Sequence, residues 1–485
     1  MKLGKLSALV LALAMLAAAF AGCSSAPATA PATTPATTPA TTPATTPATD
    51  ENALPVIDMD GYEFIAYGYE ENFSFNPDGN VLDQTKNEVF LELQELYNCY
   101  FTFTVTGTTF QDEAFAILMA GDKYADFVAP ATFSAGYWYS SNNVVDLKTV
   151  KYLDFDQPWW YQDITYATEW NGKLYGCKGS FNNPIPDSWV IYFNKPLAEE
   201  LQLPDLYQMV RDGEWTLEKF REYAKKATRD LNGDNTMDDR DSYGWGHPHL
   251  EGDTAFWGGA GGQYFTKGED GYWTLSTATP RNRDLMEKLV DILVKDNTTY
   301  DRSGGEGWMY YYTDMFPSNQ MLFAPTPVYA VSRNNWGWWE MEDDFGILPM
   351  PKYDKDQEFY YATVDHFTSM LMIPVNTNNE DNIGLILEAL TREFYERVVP
   401  AAYENIEINC RDEESLEMIK LSQQHFRNDP VSDQLAYTLN GAVYGGGVNV
   451  LLGCITAGGD FSALYEAEAQ ASQLALDEFQ GRPLN

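Results

Sequence analysis

Basic residues are scarce in this 485-residue chain: 31 Lys and Arg stand against 71 Asp and Glu, for a formal charge of −40. Nucleic acid demands a basic footprint, so this surface excludes it as a partner. A peripheral grip on anionic lipid is excluded for the same reason. Histidine is nearly absent, with four residues. His247 and His249 straddle Pro248 without a third ligand, which is a poor zinc arrangement. Beyond Cys23 the cysteines are Cys99, Cys177, Cys410 and Cys454, with no CxxC pair, which argues against zinc ribbons and dithiol redox motifs. Bridged and free thiols both fit that spacing. No G-x-S-x-G, HExxH or P-loop occurs, so the common hydrolase, zincin and nucleotide motifs are missing. A glycosidase needs two carboxylates at a set separation. With 71 acids some pair is always available, so that signal decides nothing. After the first 22 residues no apolar run is long enough to cross a bilayer.

What is present is a globular composition, 44% hydrophobic and 21% charged, long enough for two or more domains. The first 22 residues read as an export leader. Lys2 and Lys5 precede the apolar run "LSALVLALAMLAAAFAG", and small residues lead into Cys23. "FAGC" resembles the bacterial lipobox, whose cysteine becomes the lipidated first residue, with Phe20 in place of the usual Leu. With the leader go two lysines and no acid, so the formal charge falls from −40 to −42. Residues 24–49, "SSAPATAPATTPATTPATTPATTPAT", hold no large apolar side chain and cannot build a core. Proline biases them toward polyproline II, a semi-stiff spacer of roughly 3.1 Å per residue. A folded part tethered at Cys23 and raised on a stalk is expected to begin near Asp50.

From there strand-like and helix-like segments alternate. "YEFIAYGY", "YFTFTVTGTTF" and "YADFVAPAT" read as strands; "LDQTKNEVFLELQELYNCY" reads as a helix with Val89, Leu93 and Leu96 inward. Such alternation predicts an α/β layer fold with a largely parallel sheet and ligands at the carboxyl ends of strands. "EWTLEKFREYAKKATRD" predicts a helix capped by Thr216 and packed through Leu217, Phe220, Tyr223, Ala224 and Ala227. "NIGLILEALTREFYERV" predicts another, with Ile383, Ile386, Leu387, Leu390 and Phe394 on one side.

The Thr216 helix runs into "DLNGDNTMDDRD". Oxygen donors stand at the spacing of a calcium loop: Asp230, Asn232, Asp234, Thr236 through its carbonyl, Asp238 and Asp241. An oxygen-only set of this size suits Ca2+ better than Mg2+. Asn235 replaces the usual glycine, and Asp241 the usual glutamate. No second helix follows, so a lone structural clip is expected rather than a sensor pair. The plain alternative is a solvated acidic turn.

"YFNKPLAEEL", "DLYQMVRDGEWTLEKF", "DLNGDNTMDDRDSYGWG" and "DFGILPMPKYDKDQEFYY", in this order, resemble the extracellular solute-binding proteins of bacterial ABC importers, in the family that takes sugars and oligosaccharides. "LMAGDKYADFV" and "GGQYFTKGEDGYW" are similar to stretches of maltose-binding-type proteins. The resemblance implies an α/β, two-lobed periplasmic-binding-protein-like fold of type II with hinge crossings. Residues 51–195 with 375–430 would form the first lobe and hinge, 196–374 the second lobe and return crossing, and 431–485 C-terminal helices. It implies a carbohydrate ligand, ABC permease partners, a lipid-anchored monomer outside the cell and no catalysis.

Sugar rings stack on aromatic faces while their hydroxyls seek carboxylates and amides, and the chain carries 13 Trp and 31 Tyr. For any one cluster, such as "PWWYQ", "GYWYS", "AFWGG", "GWMYYYTD" or "NNWGWW", core packing competes with ligand contact. The resemblance points to Thr132, Phe133 and Tyr137 in the first lobe and to Asp187 and Trp189 at the first crossing. It points to Phe256, Trp257, Tyr329 and Trp336 in the second lobe and to Asp365 and His366 at the return. Asp187 and Asp365 fit hydrogen bonding to sugar hydroxyls and hinge bonding equally. A peptide or cationic small-molecule binder, a carbohydrate-active enzyme and an adhesin are the competing classes.

Overall fold

The computed structural model describes residues 53–482, apart from 69–75, 77, 108–109, 301–309, 333–335, 366–367, 428, 436–445 and 457. Cys23, the stalk, His366 and Gly445, the first of the C-terminal glycine run, fall outside the described residues. Residues 54–485 cluster as one compact unit.

The first core is built on β1 (Tyr62–Gly68), β2 (Cys99–Val105) and β3 (Phe127–Ala129), in the order β2-β1-β3 and all parallel. Phe64 and Ala66 of β1 alternate inward and are fully buried. The helix Val81–Tyr97 links β1 to β2. Asn80 caps it by accepting from the Asp83 N–H, and Asn98 ends it in the left-handed conformation at φ 49°. Val89 and Leu93 face the core as expected, but Leu96 is exposed, because it lies off that stripe near the last turn. The short hairpin β4 (Glu169–Trp170) and β5 (Lys173–Leu174) turns at Asn171-Gly172, both at positive φ, which suits a two-residue hairpin turn.

The second core holds β6 (Trp189–Asn194), β7 (Tyr243–Gly246), a hairpin of β8 (Phe265–Lys267) and β9 (Trp273–Leu275), then β10 (Thr299–Tyr300), β11 (Met321–Pro327) and β12 (Phe345–Pro349). Its sheet runs β10-β7-β11-β6-β12. β10, β7 and β11 are mutually parallel, while β6 is antiparallel to both β11 and β12. This sheet is mixed, not the largely parallel one the alternation predicted. β6 arrives straight from the crossing and runs away from it, whereas β7, β10, β11 and β12 run back toward it. The helix Leu217–Ala227 packs on this sheet with Thr216 as its cap and Leu217, Phe220, Tyr223, Ala224 and Ala227 buried, as its local pattern dictates.

The helix Glu380–Glu393 joins the first core through Ile383, Ile386, Leu387 and Leu390. It continues without a break through a π-helical turn, Phe394–Val398, into the helix Val399–Cys410. Phe394 and Val398 still belong to the first core; Ile406 and Cys410 belong to the second, with Tyr192 and Phe345. The next helix, Glu413–Ser422, packs on β12, where Ser415 Oγ accepts from the Ile347 N–H at 3.1 Å. Residues 403–422 therefore sit with the second sheet, not with the first lobe to which 375–430 were assigned. An unbroken helix carries the chain over, and no composition break marks the change. Cys99, Cys177, Cys410 and Cys454 are buried free thiols. Among the described residues no helix is long and apolar enough to cross a membrane.

Candidate functional site at the crossing

Besides the helix that runs on from Glu380 to Cys410, three stretches lie side by side between the two sheets among the described residues. Cys177 bridges Leu371, Ser188 bridges Val364, and Ala362 bridges Phe426. The Asp365 N–H donates to the Asp187 carbonyl at 2.8 Å, and the Trp189 N–H to the Thr363 carbonyl at 2.9 Å. The Arg427 N–H donates to the Ala362 carbonyl at 2.8 Å. On the first-sheet side the Met370 N–H donates to the carbonyl of Pro130, which directly follows β3. On the other side β6 begins at Trp189, and the Val328 N–H, one residue past β11, donates to the Ser188 carbonyl at 2.9 Å. Carboxyl ends of strands from both sheets thus meet at the crossing, where ligands of open α/β sheets bind.

Of the residues singled out in the sequence, several gather here. Thr132 is buried, and its hydroxyl donates to the Thr368 carbonyl at 2.7 Å, so it ties the end of the first sheet to the return crossing. Phe133 and Tyr137 follow it, both half-buried. Asp187 and Asp365 are buried and adjacent through their backbones. Tyr329 and Trp336 are half-buried beyond the end of β11. Trp336 stacks on Tyr312 with ring centroids 4.7 Å apart at 20° and lies 6.4 Å from Tyr329. The Tyr312 hydroxyl is anchored on the Pro325 carbonyl at 2.5 Å.

Three others do not fit the role given them. Phe256 and Trp257 lie on the helix His249–Gly259 and are core residues: Phe256 packs on Phe220 and Trp245, and Trp257 stacks on Tyr264 at 5.0 Å and 7°. Trp189 is likewise buried in the second core. An apolar aromatic at a strand or helix end looks the same in sequence whether it turns to the core or the cleft.

Sequence reasoning missed the polar set on the crossing itself. Lys178 is buried and its ammonium donates to Thr368 Oγ1. The amides of Asn182 and Asn183 both donate to the Ser369 carbonyl, at 2.9 and 3.2 Å. The signal was there in "CKGSFNN", a polar run in a segment otherwise reading as strand. His247, just past β7, is also buried, with Nε2 2.6 Å from Asp253 Oδ1.

"PWWYQ" has a different task. Glu388 projects from the helix Glu380–Glu393 into the first core, where Oε1 accepts from the Trp159 indole at 2.7 Å and Oε2 from the Trp160 indole at 2.9 Å and the Asp154 N–H at 3.2 Å. Burial pushes its pKa up to about 7 against these three donors. The folded state then holds this proton at pH values where the unfolded chain has lost it, so folding loses stability as pH rises from about 4.5 to about 7. The difference amounts to about 3 kcal/mol. Urea midpoints at pH 5 and pH 8 are expected to converge in Glu388→Gln relative to the parent; an unchanged gap between the two pH values would refute it.

In the acidic loop the side chains fold the backbone around themselves. Asp230 accepts from the N–H groups of Gly233 and Asn235, Asn232 from Asp234, and Asp234 from Thr236. Asp241, fully buried, accepts from Leu231 at 2.9 Å and from Asp238 at 2.9 Å. Asn235 is left-handed, φ 63°, the conformation that position needs. Among the described residues no three His, Cys, Asp or Glu side chains converge on a metal position. Arg240 instead supplies positive charge, bonding Asp234 at 2.9 Å and Asp238. Its guanidinium holds the Asp238 carboxyl below the usual carboxylate range.

No family model matches the chain, and no curated protein matches it in sequence. Solved structures do match its fold. The galacto-N-biose-/lacto-N-biose I-binding protein of the Bifidobacterium longum ABC transporter, in complex with lacto-N-biose, superposes with a TM-score of 0.58 at 12% identity, over 87% of this chain and 98% of that one. The sugar-binding protein MalE of Xanthomonas citri gives 0.58 at 12% identity, over 86% and 98%. UgpB of Mycobacterium tuberculosis, in complex with glycerophosphocholine, gives 0.54 at 14% identity, over 86% and 99%. The fold is that of ABC-transporter solute-binding proteins, as the resemblance implied.

Proposed function

We propose that this chain is a substrate-capturing subunit of an ABC importer, which closes two lobes over a carbohydrate and delivers it to the permease. The observation that carries this reading is the convergence of strand ends from both sheets on one crossing, with Trp336, Tyr329, Asp187 and Asp365 beside it. Half-buried aromatic rings and carboxylates at one crossing suit a sugar, whose faces are apolar and whose edge is hydroxyl. A neutral oligosaccharide fits best, because fixed negative charge would repel an acidic one. The leader, Cys23 and the stalk support a location outside the cell on a lipid anchor. No catalytic step is assigned to it.

The test is thermal unfolding across a saccharide panel. The ligand is expected to raise the melting point with its concentration, by mass action, without product. No shift with any saccharide would sink the reading. The runner-up is a small cationic solute. The half-buried rings of Trp336 and Tyr329 offer faces to a quaternary ammonium, and the acids would favour it. Choline and glycerophosphocholine belong in the same panel.

Calcium at residues 230–241 is part of the proposal, with Asp230, Asn232, Asp234, Thr236, Asp238 and Asp241 as its oxygen donors. The left-handed Asn235 supports it. Arg240 competes with the ion for Asp234 and Asp238. Calcium is expected to stabilise the protein against chelator, and Arg240→Gln to tighten calcium by about tenfold. Equal melting points with calcium and with chelator, in both proteins, would remove the ion from the account.

A further inference from the structure

A recess of about 420 Å³ lies between the segment 156–163 of the first lobe and residues 423–426 of the third crossing. The half-buried Tyr161 and Phe426 give it an aromatic lining beside the buried Trp160, and Gln162, Asp163 and Gln424 are exposed along it. Aromatic faces flanked by amides and a carboxylate are the lining that polyhydroxylated rings select. The volume suits one small ring system.

Its walls are fixed from behind. Trp160 is held by Glu388 Oε2 at 2.9 Å inside the first core. The Tyr161 hydroxyl donates to the Asn183 carbonyl at 2.5 Å, so its ring cannot swing away. Gln423 donates to the Pro186 carbonyl at 3.0 Å and accepts from the Tyr403 hydroxyl at 2.7 Å. A wall set by buried hydrogen bonds is preorganised and loses little side-chain entropy on binding. The recess is separate from the group around Thr132. Tyr161 and Gln423 bond backbone carbonyls of the first crossing, at Asn183 and Pro186, while the side chains of Asn182 and Asn183 bond Ser369.

We infer that this recess is a second binding site, for a single neutral sugar ring or small polyol, independent of the ligand held at Trp336. It goes beyond the importer reading and does not need it. The probes are D-glucose, D-galactose, N-acetyl-D-glucosamine and glycerol at millimolar concentration, followed by saturation-transfer NMR and tryptophan fluorescence. At least one is expected to give a weak binding event that survives Trp336→Ala and is weakened at least fivefold by Gln424→Ala and by Phe426→Ala. Gln424 is exposed, so its variant decides the matter if Phe426→Ala fails to fold. The inference is overturned if every sugar signal vanishes in Trp336→Ala, if the weak event is unchanged in Gln424→Ala, or if no probe binds. Signals lost only in Trp336→Ala would leave the importer reading standing and remove the recess. A signal lost only in Gln424→Ala would establish the recess and leave the importer reading to be decided by the saccharide panel.

Discussion

Replacing Trp336 with alanine is expected to weaken carbohydrate binding by about a hundredfold, a loss of about 3 kcal/mol, the size of a binding hot spot. The indole is half-buried and stacks on Tyr312 at 4.7 Å. Tyr312 is itself fixed to Pro325 and packed against Trp338 in the second core. The platform under Trp336 thus remains when the indole is removed. Only a partly exposed ring is lost, so stability should change far less than for a buried aromatic, where about 3–5 kcal/mol is usual. Calorimetric titration with the cognate saccharide, beside urea denaturation, separates the two effects. Retained affinity, or an equal loss of stability, would reassign Trp336 to the core.

The second large effect is expected at Gly258. The helix His249–Gly259 lies so close to the return crossing that a methyl added there would sit 2.2 Å from Thr363 Cγ2 and 3.3 Å from the Arg427 carbonyl. Thr363 cannot retreat cheaply, because its carbonyl accepts from Trp189 at the start of β6. Gly258→Ala should therefore cost about 1–3 kcal/mol through forced displacement of the crossing, and Gly258→Val more. Thr363→Ser removes the opposing methyl. In a double-mutant cycle it is expected to recover most of the Gly258→Ala loss. Strict additivity of the two substitutions would show that this contact does not govern the site.

How much was legible in the sequence depends on how local the determinant is. The helix Leu217–Ala227 was readable to its cap, because Thr216 and five apolar positions at helical spacing decide it within one element. The strands of the first sheet were readable for the same reason. The direction of β6 was not, since it depends on where the chain leaves the crossing. Nor was the assignment of 403–422. The helix Glu380–Glu393 and its continuation are apolar on one side throughout, and nothing in that pattern says which core receives it. In the site, Asp187 and Asp365 were singled out through the resemblance, which locates the crossings; nothing in their local sequence marks them. Phe256 and Trp257 were misplaced because aromatic richness marks cores and sugar sites alike. "PWWYQ" illustrates the point: two of its indoles satisfy a buried carboxylate from a helix more than two hundred residues away.

The helix that runs from Glu380 to Cys410 is rooted at one end among Ile386 and Leu390 and at the other among Ile406 and Cys410. Its midpoint is a wider-wound turn, Phe394–Val398, where the bond ladder changes pitch. Extended ribbons bend easily, but a rod gripped at both ends resists twist along its whole length. Any swivel of one core against the other must load this shaft. The softest length available to absorb that torque is the loosened coil at its centre.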